Sequence, residues 1–556
     1  MNRLIRAYIS LAFALFAIGV FASHYYSSLF LPLTIPTALA CCVLLIAAIR
    51  TPHYVSVLTA AILIAVLLRV YLFAAPASLI GMDPDAYAVT SQTIVQNGDL
   101  SGIRLGFYRL AASYPVFLAA TAQIIGHTTT DAMVIMPVLV GVMVPIAAVV
   151  LAQIGFQSRQ STAILTAPVA ALGAATVKLG YWPVSHSLST VLIWMALLTI
   201  WRASSEHNVR LSALAVGFLV ALASVHKAGV VIVGVALTAT FVLTLTDKVR
   251  GRHATFDLWL VLTVGGVLFV IQALYLTDFL PKLIFSAIGL RGISFSSLPS
   301  PTAASVVTIP LSKQLVNLLF VFMSLVLGLI AGLWMLWKQS VGRGGLGAVC
   351  AGALLVVVSF VGLPIGVGGF ARNMAVIEPL VIGLVVVAAV RIARRTSASH
   401  VHGVVGVLLI GMIATQAVAS PITPNQPEDV RYYLNSGEVD GKQWILNHAG
   451  RGVWMDVYYG DEAIDIPAAA ATEKRWYQRP PVHQPYLLHD ELTNATLPEK
   501  GYETVALRHD VEIYRLGSRK FRLEWRPNRV MSREYNVVYR NGAVSVYDRA
   551  NNSMIG

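Results

Sequence analysis

Long apolar stretches recur from Tyr8 to Ala419 and are separated by short polar segments. Each stretch is close to the roughly twenty residues that an α-helix needs to cross a hydrocarbon core of ~30 Å. The pattern predicts spans at 7–23, 28–49, 54–75, 131–153, 160–180, 186–202, 209–226, 228–246, 256–276, 314–337, 345–363, 374–392 and 401–420. We therefore expect an α-helical polytopic membrane protein of about thirteen transmembrane helices.

The apolar pattern ends near residue 424, and a normally charged tail follows. Residues 1–424 contain 23 Lys and Arg but only 9 Asp and Glu, whereas residues 425–556 contain 17 and 18. This change in composition predicts two domains, a transmembrane body (1–424) and a mixed α/β tail (425–556) that is long enough for one small core.

Within the tail, the local pattern predicts one helix and several strands. Val439–His448 has the period of a short helix, while Val453–Tyr458, Glu512–Leu516 and Asn536–Tyr539 alternate as strands do. Asn541-Gly542 lies between two such alternating runs, which predicts a β-hairpin.

The composition excludes a soluble protein of this size, because 56% of the 556 residues are hydrophobic and only 12% are charged. The net charge of +13 would suggest nucleic acid in a soluble protein. Here the basic residues lie mostly in short loops between spans, where they set topology, so we expect no nucleic-acid partner. Cys41, Cys42 and Cys350 all lie in predicted spans, which leaves no disulfide framework or cysteine-based zinc site.

Basic loops predict the orientation of the chain. With the N-terminus in the cytoplasm, 14 of the 23 basic residues of the body lie on the cytoplasmic side. They are Arg3, Arg6, Arg50, Arg159, Arg202, Arg210, Lys248, Arg250, Arg252, Lys338, Arg343, Arg391, Arg394 and Arg395. An odd number of spans then places the C-terminal domain outside the cytoplasm, as in a multi-pass protein of a cell membrane.

Four outer segments follow from this orientation: 76–130, 180–186, 277–313 and 363–372. Tyr114–Ile125 is apolar but too short to span comfortably, so we expect a helix along the outer surface. If it were a span, every later segment would change sides.

The first outer loop (76–130) holds three of the nine acidic residues of the body: Asp83, Asp85 and Asp99. Pro84 suits a first helical turn, and Asn97-Gly98 is a helix stop, so Asp83 and Asp85 are predicted at the start of a short helix. Capping would account for one aspartate there. Two aspartates at one helix start, in a body with so few acidic residues, favour a catalytic role.

This loop resembles the first outer loop of the GT-C superfamily, the membrane glycosyltransferases that use lipid-phosphate-linked sugars. The matching residues are Asp83, Asp85, Asn97-Gly98, Tyr114-Pro115 and Gly126. The likeness covers residues 54–200 at motif level and the rest in layout. It is nearest to mannosyltransferase-like enzymes and more distantly to the oligosaccharyltransferases.

The resemblance implies a donor carried on polyprenyl or dolichyl phosphate and a glycan, glycoprotein or lipid acceptor, as in protein glycosylation or cell-envelope synthesis. It implies Asp83 or Asp85 as general base, which fits a reaction that removes a hydroxyl proton. The same carboxylates would be the ligands if a divalent metal (Mg or Mn) is needed.

Cations should neutralise the phosphate that leaves. Outer candidates are Lys227, Arg291 and Arg372, each of which could instead contact membrane lipids. Arg372 resembles a basic residue that precedes the final spans of GT-C proteins. Glu378 is an acid inside a predicted span, and either a functional role or a structural pair with Arg372 would explain it.

Aromatic residues and one histidine supply candidate contacts to sugar or acceptor: Tyr87, Tyr181, Trp182 and His186. The last three fill the second outer turn, although aromatic residues also populate any membrane interface. His186 has no partner histidine nearby in sequence with which to bind a metal.

The tail segment from Trp454 to Gly460 is similar to the Trp-Trp-Asp-Tyr-Gly signature of oligosaccharyltransferases but departs in spacing. The turn 180–186 also lacks the second acidic motif of those enzymes. We therefore expect transfer of one sugar rather than of a whole oligosaccharide. A transporter or flippase of a lipid-linked substrate, and a non-catalytic assembly protein, are the alternatives.

Overall fold

The protein is described by a computed structural model. The described residues are 3–25, 31–101, 103, 107–206, 208–227, 229–249, 256–277, 302–307, 311–338, 343–361, 370–396, 399–418, 433–448, 453–461, 488–509, 511–516 and 519–549. The predicted domain boundary at 424 lies outside them.

The body is helical, and a helix or a run of short helices lies at each predicted span. In chain order the helices of the body are α1 (Arg3–Tyr25), α2 (Leu31–Arg50), α3 (Tyr54–Ala74), α4 (Met82–Asn97), α5 (Ser113–Ile125), α6 (Thr129–Ala132), α7 (Ile135–Val150), α8 (Gln160–Ala163), α9 (Thr166–Leu172), α10 (Ala174–Tyr181), α11 (Ser185–Glu206), α12 (Val209–Val225), α13 (Gly229–Val249), α14 (Phe256–Ile271), α15 (Leu311–Trp337), α16 (Arg343–Val361), α17 (Phe370–Arg395) and α18 (Ser399–Val418). A turn of π-helix, Leu151–Gly155, prolongs α7, and another, Gln272–Leu276, prolongs α14.

Length and composition identify this chain as an integral membrane protein. Within the described ranges, eight helices are long and apolar enough to cross a bilayer. The number rises to nine if the broken helix formed by α8, α9 and α10, which bends by 53° before Ala174, is one span. The other predicted spans are helical but shorter or less apolar in the parts described.

Helix α5 does not cross the membrane, as the sequence predicts. Its 13 residues extend ~20 Å, less than the hydrocarbon core. Both of its ends also lie against α4: the Tyr114 ring is 5.0 Å from the Tyr87 ring, and the Thr129 hydroxyl just beyond its other end donates to the Ala88 carbonyl at 2.8 Å. A helix tied to one place at both ends cannot link opposite sides of a bilayer.

The helices define two faces of the body. We call the face that carries residues 76–130 the loop face. The turn 180–186 lies there, because the Ser185 hydroxyl is 3.3 Å from the Tyr87 hydroxyl. At the opposite face, Arg391 donates to the Phe156 carbonyl, and Arg394 donates to the Ser161 hydroxyl at 3.3 Å. Arg391 and Arg394, two of the basic residues predicted on the cytoplasmic side, thus lie away from the loop face.

The described tail is a small α/β structure. Its helices are α19 (Ser436–His448), α20 (Val457–Asp461), α21 (Leu488–Asn494) and α22 (Pro527–Glu534). Its strands are β2 (Val453–Trp454), β3 (Thr504–Arg508), β4 (Ile513–Leu516), β5 (Arg519–Leu523), β6 (Asn536–Arg540) and β7 (Val544–Asp548). One sheet has the order β2-β3-β7-β6, with β2 parallel to β3 and antiparallel pairs elsewhere.

A strand from the body completes the second sheet. Strand β1 (Ala304–Val306), from the predicted outer segment 277–313, pairs antiparallel with β5, so the order is β1-β5-β4. Ala303 N–H also donates to the Thr493 carbonyl at 2.9 Å. The third outer segment and the tail therefore lie together.

Most of the predicted tail elements are confirmed. The helix, two of the predicted strands and the hairpin at Asn541-Gly542 are present, and Gly542 has φ +86° as its tight turn requires. The predicted strand Val453–Tyr458 is wrong beyond Trp454, because Asp456 caps a helix there by accepting from Tyr459 N–H at 3.1 Å.

Candidate functional site

The acidic helix α4 presents its two aspartates differently. The helix begins after Gly81, which has φ +94° and no side chain to act as a cap, and it ends at Gly98 with φ +71°. Asp83 is exposed, whereas Asp85 is only 2% exposed. Residues two apart on a helix lie on different faces, so one carboxylate meets solvent and the other meets the protein.

Two tyrosines from the following part of the loop, Tyr108 and Tyr114, contact Tyr87 of α4. The Tyr108 hydroxyl donates to the Ser185 hydroxyl at 2.6 Å and lies 3.1 Å from the Tyr87 hydroxyl, and the Tyr114 hydroxyl donates to the Pro183 carbonyl at 2.7 Å. Burial raises the pKa of Tyr108 and of Tyr114 far above the usual tyrosine value. These hydroxyls therefore stay neutral and act as hydrogen-bond donors rather than as bases.

Trp182 connects the second outer turn to the start of α4. A Cβ at Gly81 would collide with Trp182 Nε1, so the indole ring packs directly on the backbone that precedes Asp83. The Lys178 ammonium lies 4.5 Å from the centre of the same ring, which is a cation–π contact. Tyr181 is buried in the main core, while Trp182 is half-buried.

His186 has a partner that its sequence neighbourhood does not contain. His186 and His226 are 3% and 4% exposed, and their rings are 5.3 Å apart. The contact arises because α11 begins and α12 ends at the loop face. Lys227 follows His226 directly and is exposed there.

The other predicted phosphate ligands are less fully placed. Arg372 lies in the first turn of α17, and its side chain lies outside the described residues, as does the whole of Arg291. Glu378, on the same helix, accepts from Ala175 N–H and Thr176 N–H at 3.0 Å each. Its carboxylate thus anchors the first turn of α10, whether or not Arg372 also contacts it.

Arg69 contacts the same turn of α10 and is not among the site residues predicted from the sequence. It is fully buried, and its guanidinium donates to the Thr176 hydroxyl at 3.0 Å and to the Ala171 carbonyl at 2.9 Å. Arg69 and Glu378 therefore meet at Thr176 and join α3, α10 and α17 beneath the site. Arg69 stands out as a basic residue in the middle of an apolar span, the signal by which it could have been found.

The described residues offer too few ligands in one place to hold a metal ion. No group of three or more His, Cys, Asp or Glu side chains lies close enough there to hold an ion. Asp83 and Asp85 offer two oxygen-bearing groups, but on different faces of α4. We therefore derive no step through a metal.

The tail lies directly against the acidic loop. Leu434 N–H donates to the Ser78 hydroxyl at 2.8 Å, four residues before α4 begins, and α20 contacts α4 itself. The candidate site thus combines α4, the turn 180–186, the junction at His226 and Lys227, and the tail.

We expect Gly81→Ala to impair the site more than Gly98→Ala. Both positions have positive φ, which costs a residue with a side chain ~1–3 kcal/mol. Only at Gly81 does the new methyl group also collide with Trp182, whereas nothing lies within 4 Å at Gly98. Thermal unfolding and sugar-transfer assays of the two variants measure the difference. Equal losses would show that the Trp182 contact has no role in the site.

The fold is similar to solved structures of GT-C glycosyltransferases, which are the structural neighbours of this chain. The oligosaccharyltransferase of Archaeoglobus fulgidus in its apo form matches with a TM-score of 0.52 and 11% identity, over 84% of this chain and 70% of that one. At this identity the match establishes the fold and not the activity.

Two further GT-C structures are similar at lower TM-scores. ArnT from Cupriavidus metallidurans in the apo state has a TM-score of 0.45 and 13% identity over 89% of this chain and 97% of that one. The mycobacterial arabinofuranosyltransferase AftD has a TM-score of 0.46 and 15% identity over 88% of this chain and 41% of its own. No family model matches the sequence. No curated protein matches it either.

Proposed function

We propose that this chain is a membrane glycosyltransferase that moves one sugar from a polyprenyl- or dolichyl-phosphate-linked donor to an extracytoplasmic acceptor. The observation that carries the proposal is the position of α4: an exposed and a buried aspartate at the loop face of a GT-C fold, beside Trp182, His186 and the tail. The distribution of basic loops supports an extracytoplasmic position for the loop face.

In the proposed reaction, Asp83 accepts the proton of the acceptor hydroxyl, because its carboxylate is the accessible one. The hydroxyl oxygen forms a bond to the anomeric carbon as the bond from that carbon to the phosphate oxygen breaks. The lipid phosphate leaves with the bonding electrons. Lys227, Arg372 and Arg291 are the proposed cations that neutralise it.

The tyrosine cluster and the turn 180–186 fit the sugar side of this reaction. Tyr87 and Trp182 are the proposed contacts to sugar or acceptor, with aromatic faces and polar edges suited to a pyranose ring. Tyr181 and His186, which the sequence also suggests, would act from beneath, since both are buried. A hexose such as mannose remains our proposal for the sugar.

Transfer of a single sugar is favoured over transfer of an oligosaccharide to a peptide. The turn 180–186 contains no carboxylate, and Asp456 of the tail is engaged by Arg508 at 2.7 Å. The structural neighbours are nevertheless informative about the donor: the archaeal enzyme has also been solved with a dolichol-phosphate, and ArnT with undecaprenyl phosphate.

Deleting the gene should remove one sugar from a surface glycan, glycoprotein or lipid, detectable by mass spectrometry. Purified protein in detergent should also release lipid phosphate from the matching donor when acceptor is added. Detergent micelles have no two sides, so a transporter or flippase would show no turnover in this assay. Unchanged glycans together with no release would favour the transporter or assembly alternatives and overturn the proposal.

A further inference from the structure

A buried ion cluster lies in the tail near its contact with the body. Arg508, at the end of β3, donates to both carboxylate oxygens of Asp456 at 2.7 and 2.9 Å, and its other terminal nitrogen is 3.7 Å from Glu438. All three side chains are at most 2% exposed. Burial alone lowers the pKa of Arg508, but Asp456 and Glu438 outweigh burial and raise it.

The cluster fixes helix α20 at its start. The Asp456 oxygen that Arg508 holds also accepts from Tyr459 N–H at 3.1 Å, so one carboxylate is shared by the ion pair and the helix cap. Lys442 donates to the Tyr459 carbonyl and lies 3.5 Å from the Gly460 carbonyl at the other end. A helix of only five residues is thus held at both termini.

The same cluster fixes helix α19, which leads from the body into the tail. Glu438 accepts from Asn435 N–H at 2.9 Å, and Asn435 accepts in return from Glu438 N–H at 2.8 Å, which is a reciprocal capping box. The preceding residue, Leu434, is the one that bonds to Ser78. The Tyr459 hydroxyl donates to the Glu438 carbonyl at 2.9 Å and so joins α20 to α19.

These contacts form a continuous path from the ion cluster to α4. The cluster sets α20, and α20 touches α4, whose first turn carries Asp83 and Asp85. A buried ion triad is seldom more stabilising than a well-packed apolar group, but it fixes directions that apolar contacts leave free. The position of the cluster at this contact indicates that it sets the orientation of α20 rather than adding stability.

We propose that the tail is a structural part of the site, and that Arg508 is a positioning residue which holds α20 against α4 and thereby sets the aspartates. This inference rests on the proposed function for its catalytic consequence. Its structural half can be tested without any activity.

The test compares Arg508→Lys with Arg529→Lys in purified full-length protein. Lysine keeps the charge but cannot make the paired bonds to Asp456. Arg529 is an exposed arginine on α22 whose side chain is not part of the ion cluster, and it serves as the matched control. A second variant, Arg508→Gln with Asp456→Asn, removes both charges and leaves an amide oxygen to cap α20, in case Arg508→Lys fails to fold.

Two readouts are needed: hydrogen–deuterium exchange of residues 82–97, and kcat with KM for the lipid donor. We expect faster exchange in α4 and a kcat lower by up to about 10²-fold, with KM little changed, only in the Arg508 variants. If α4 exchanges faster in the Arg508 variants than in wild type, but the wild-type protein proves inactive, the positioning role is supported and the proposed function is refuted. Unchanged exchange in a folded Arg508 variant would overturn the inference.

Discussion

Replacing Asp83 with asparagine is expected to lower the rate of sugar transfer by about 10²–10⁴-fold, the usual contribution of a general base. The asparagine side chain has nearly the same shape, so α4 should keep its structure, but its amide cannot accept a proton from the acceptor hydroxyl. Because Asp83 is exposed, its replacement should leave the unfolding temperature almost unchanged. Single-turnover assays with purified lipid-linked donor measure the rate.

Asp99→Asn is the matched control, since Asp99 is an exposed aspartate of the same loop. Its carboxylate accepts from the backbone and the hydroxyl of Ser101 at 2.9 and 2.6 Å, and these bonds lower its pKa. These bonds show that Asp99 stabilises a local turn, so its replacement should leave sugar transfer unchanged. Asp85→Asn separates the two acids of the motif: full activity without Asp83, together with inactivity without Asp85, would assign the base to Asp85.

The sequence was sufficient to predict the helices and the acidic loop because both depend on local pattern. Apolar stretches of membrane-spanning length identify spans without tertiary information. Asn97-Gly98 stops α4 through a glycine with φ +71°, a property of the residue itself. The odd number of crossings stays a prediction, since eight helices of the described ranges, or nine with the broken helix, are long and apolar enough to span.

Contacts between distant segments could not be predicted in the same way. His226 lies forty positions from His186 and meets it only because α11 and α12 form an antiparallel pair. Strand β1 belongs to the body but pairs with a sheet of the tail. It could not be predicted, because three residues give almost no periodic signal. Helix α20 could not be predicted for the same reason. Its capping residue, Asp456, is held by Arg508, which lies about fifty positions later in β3.

The broken helix beneath the site leads to the second large expected effect. Glu378 is 2% exposed, and its two oxygens satisfy the first N–H groups of α10, the end of a helix that carries partial positive charge. Removing the carboxylate by Glu378→Ala would leave those N–H groups without this acceptor and Arg69 without its counter-charge. We expect the free energy of unfolding to fall by about 2–6 kcal/mol, because each of the two N–H groups left without a partner at this buried site costs ~1–3 kcal/mol.

Glu206→Ala gives the matched comparison on the surface. Glu206 pairs with Arg202 at 2.8 Å, but the two side chains are 44% and 63% exposed, so its loss should cost only ~0–1 kcal/mol. Glu378→Gln should fall between the two, because an amide oxygen can still accept one of the two N–H bonds. Thermal unfolding in a single detergent measures all three variants, and a Glu378→Ala midpoint equal to that of Glu206→Ala would contradict the anchoring role.

The same substitution should also lower sugar transfer in whatever fraction stays folded. Helix α10 ends at Tyr181, directly before Trp182, and Trp182 packs on Gly81 at the start of α4. If the first turn of α10 loses its anchor, the indole ring shifts and the aspartates move with it. A lower kcat at a temperature well below the unfolding midpoint would reveal this coupling. A normal kcat in a destabilised protein would show that Glu378 contributes to stability but not to catalysis.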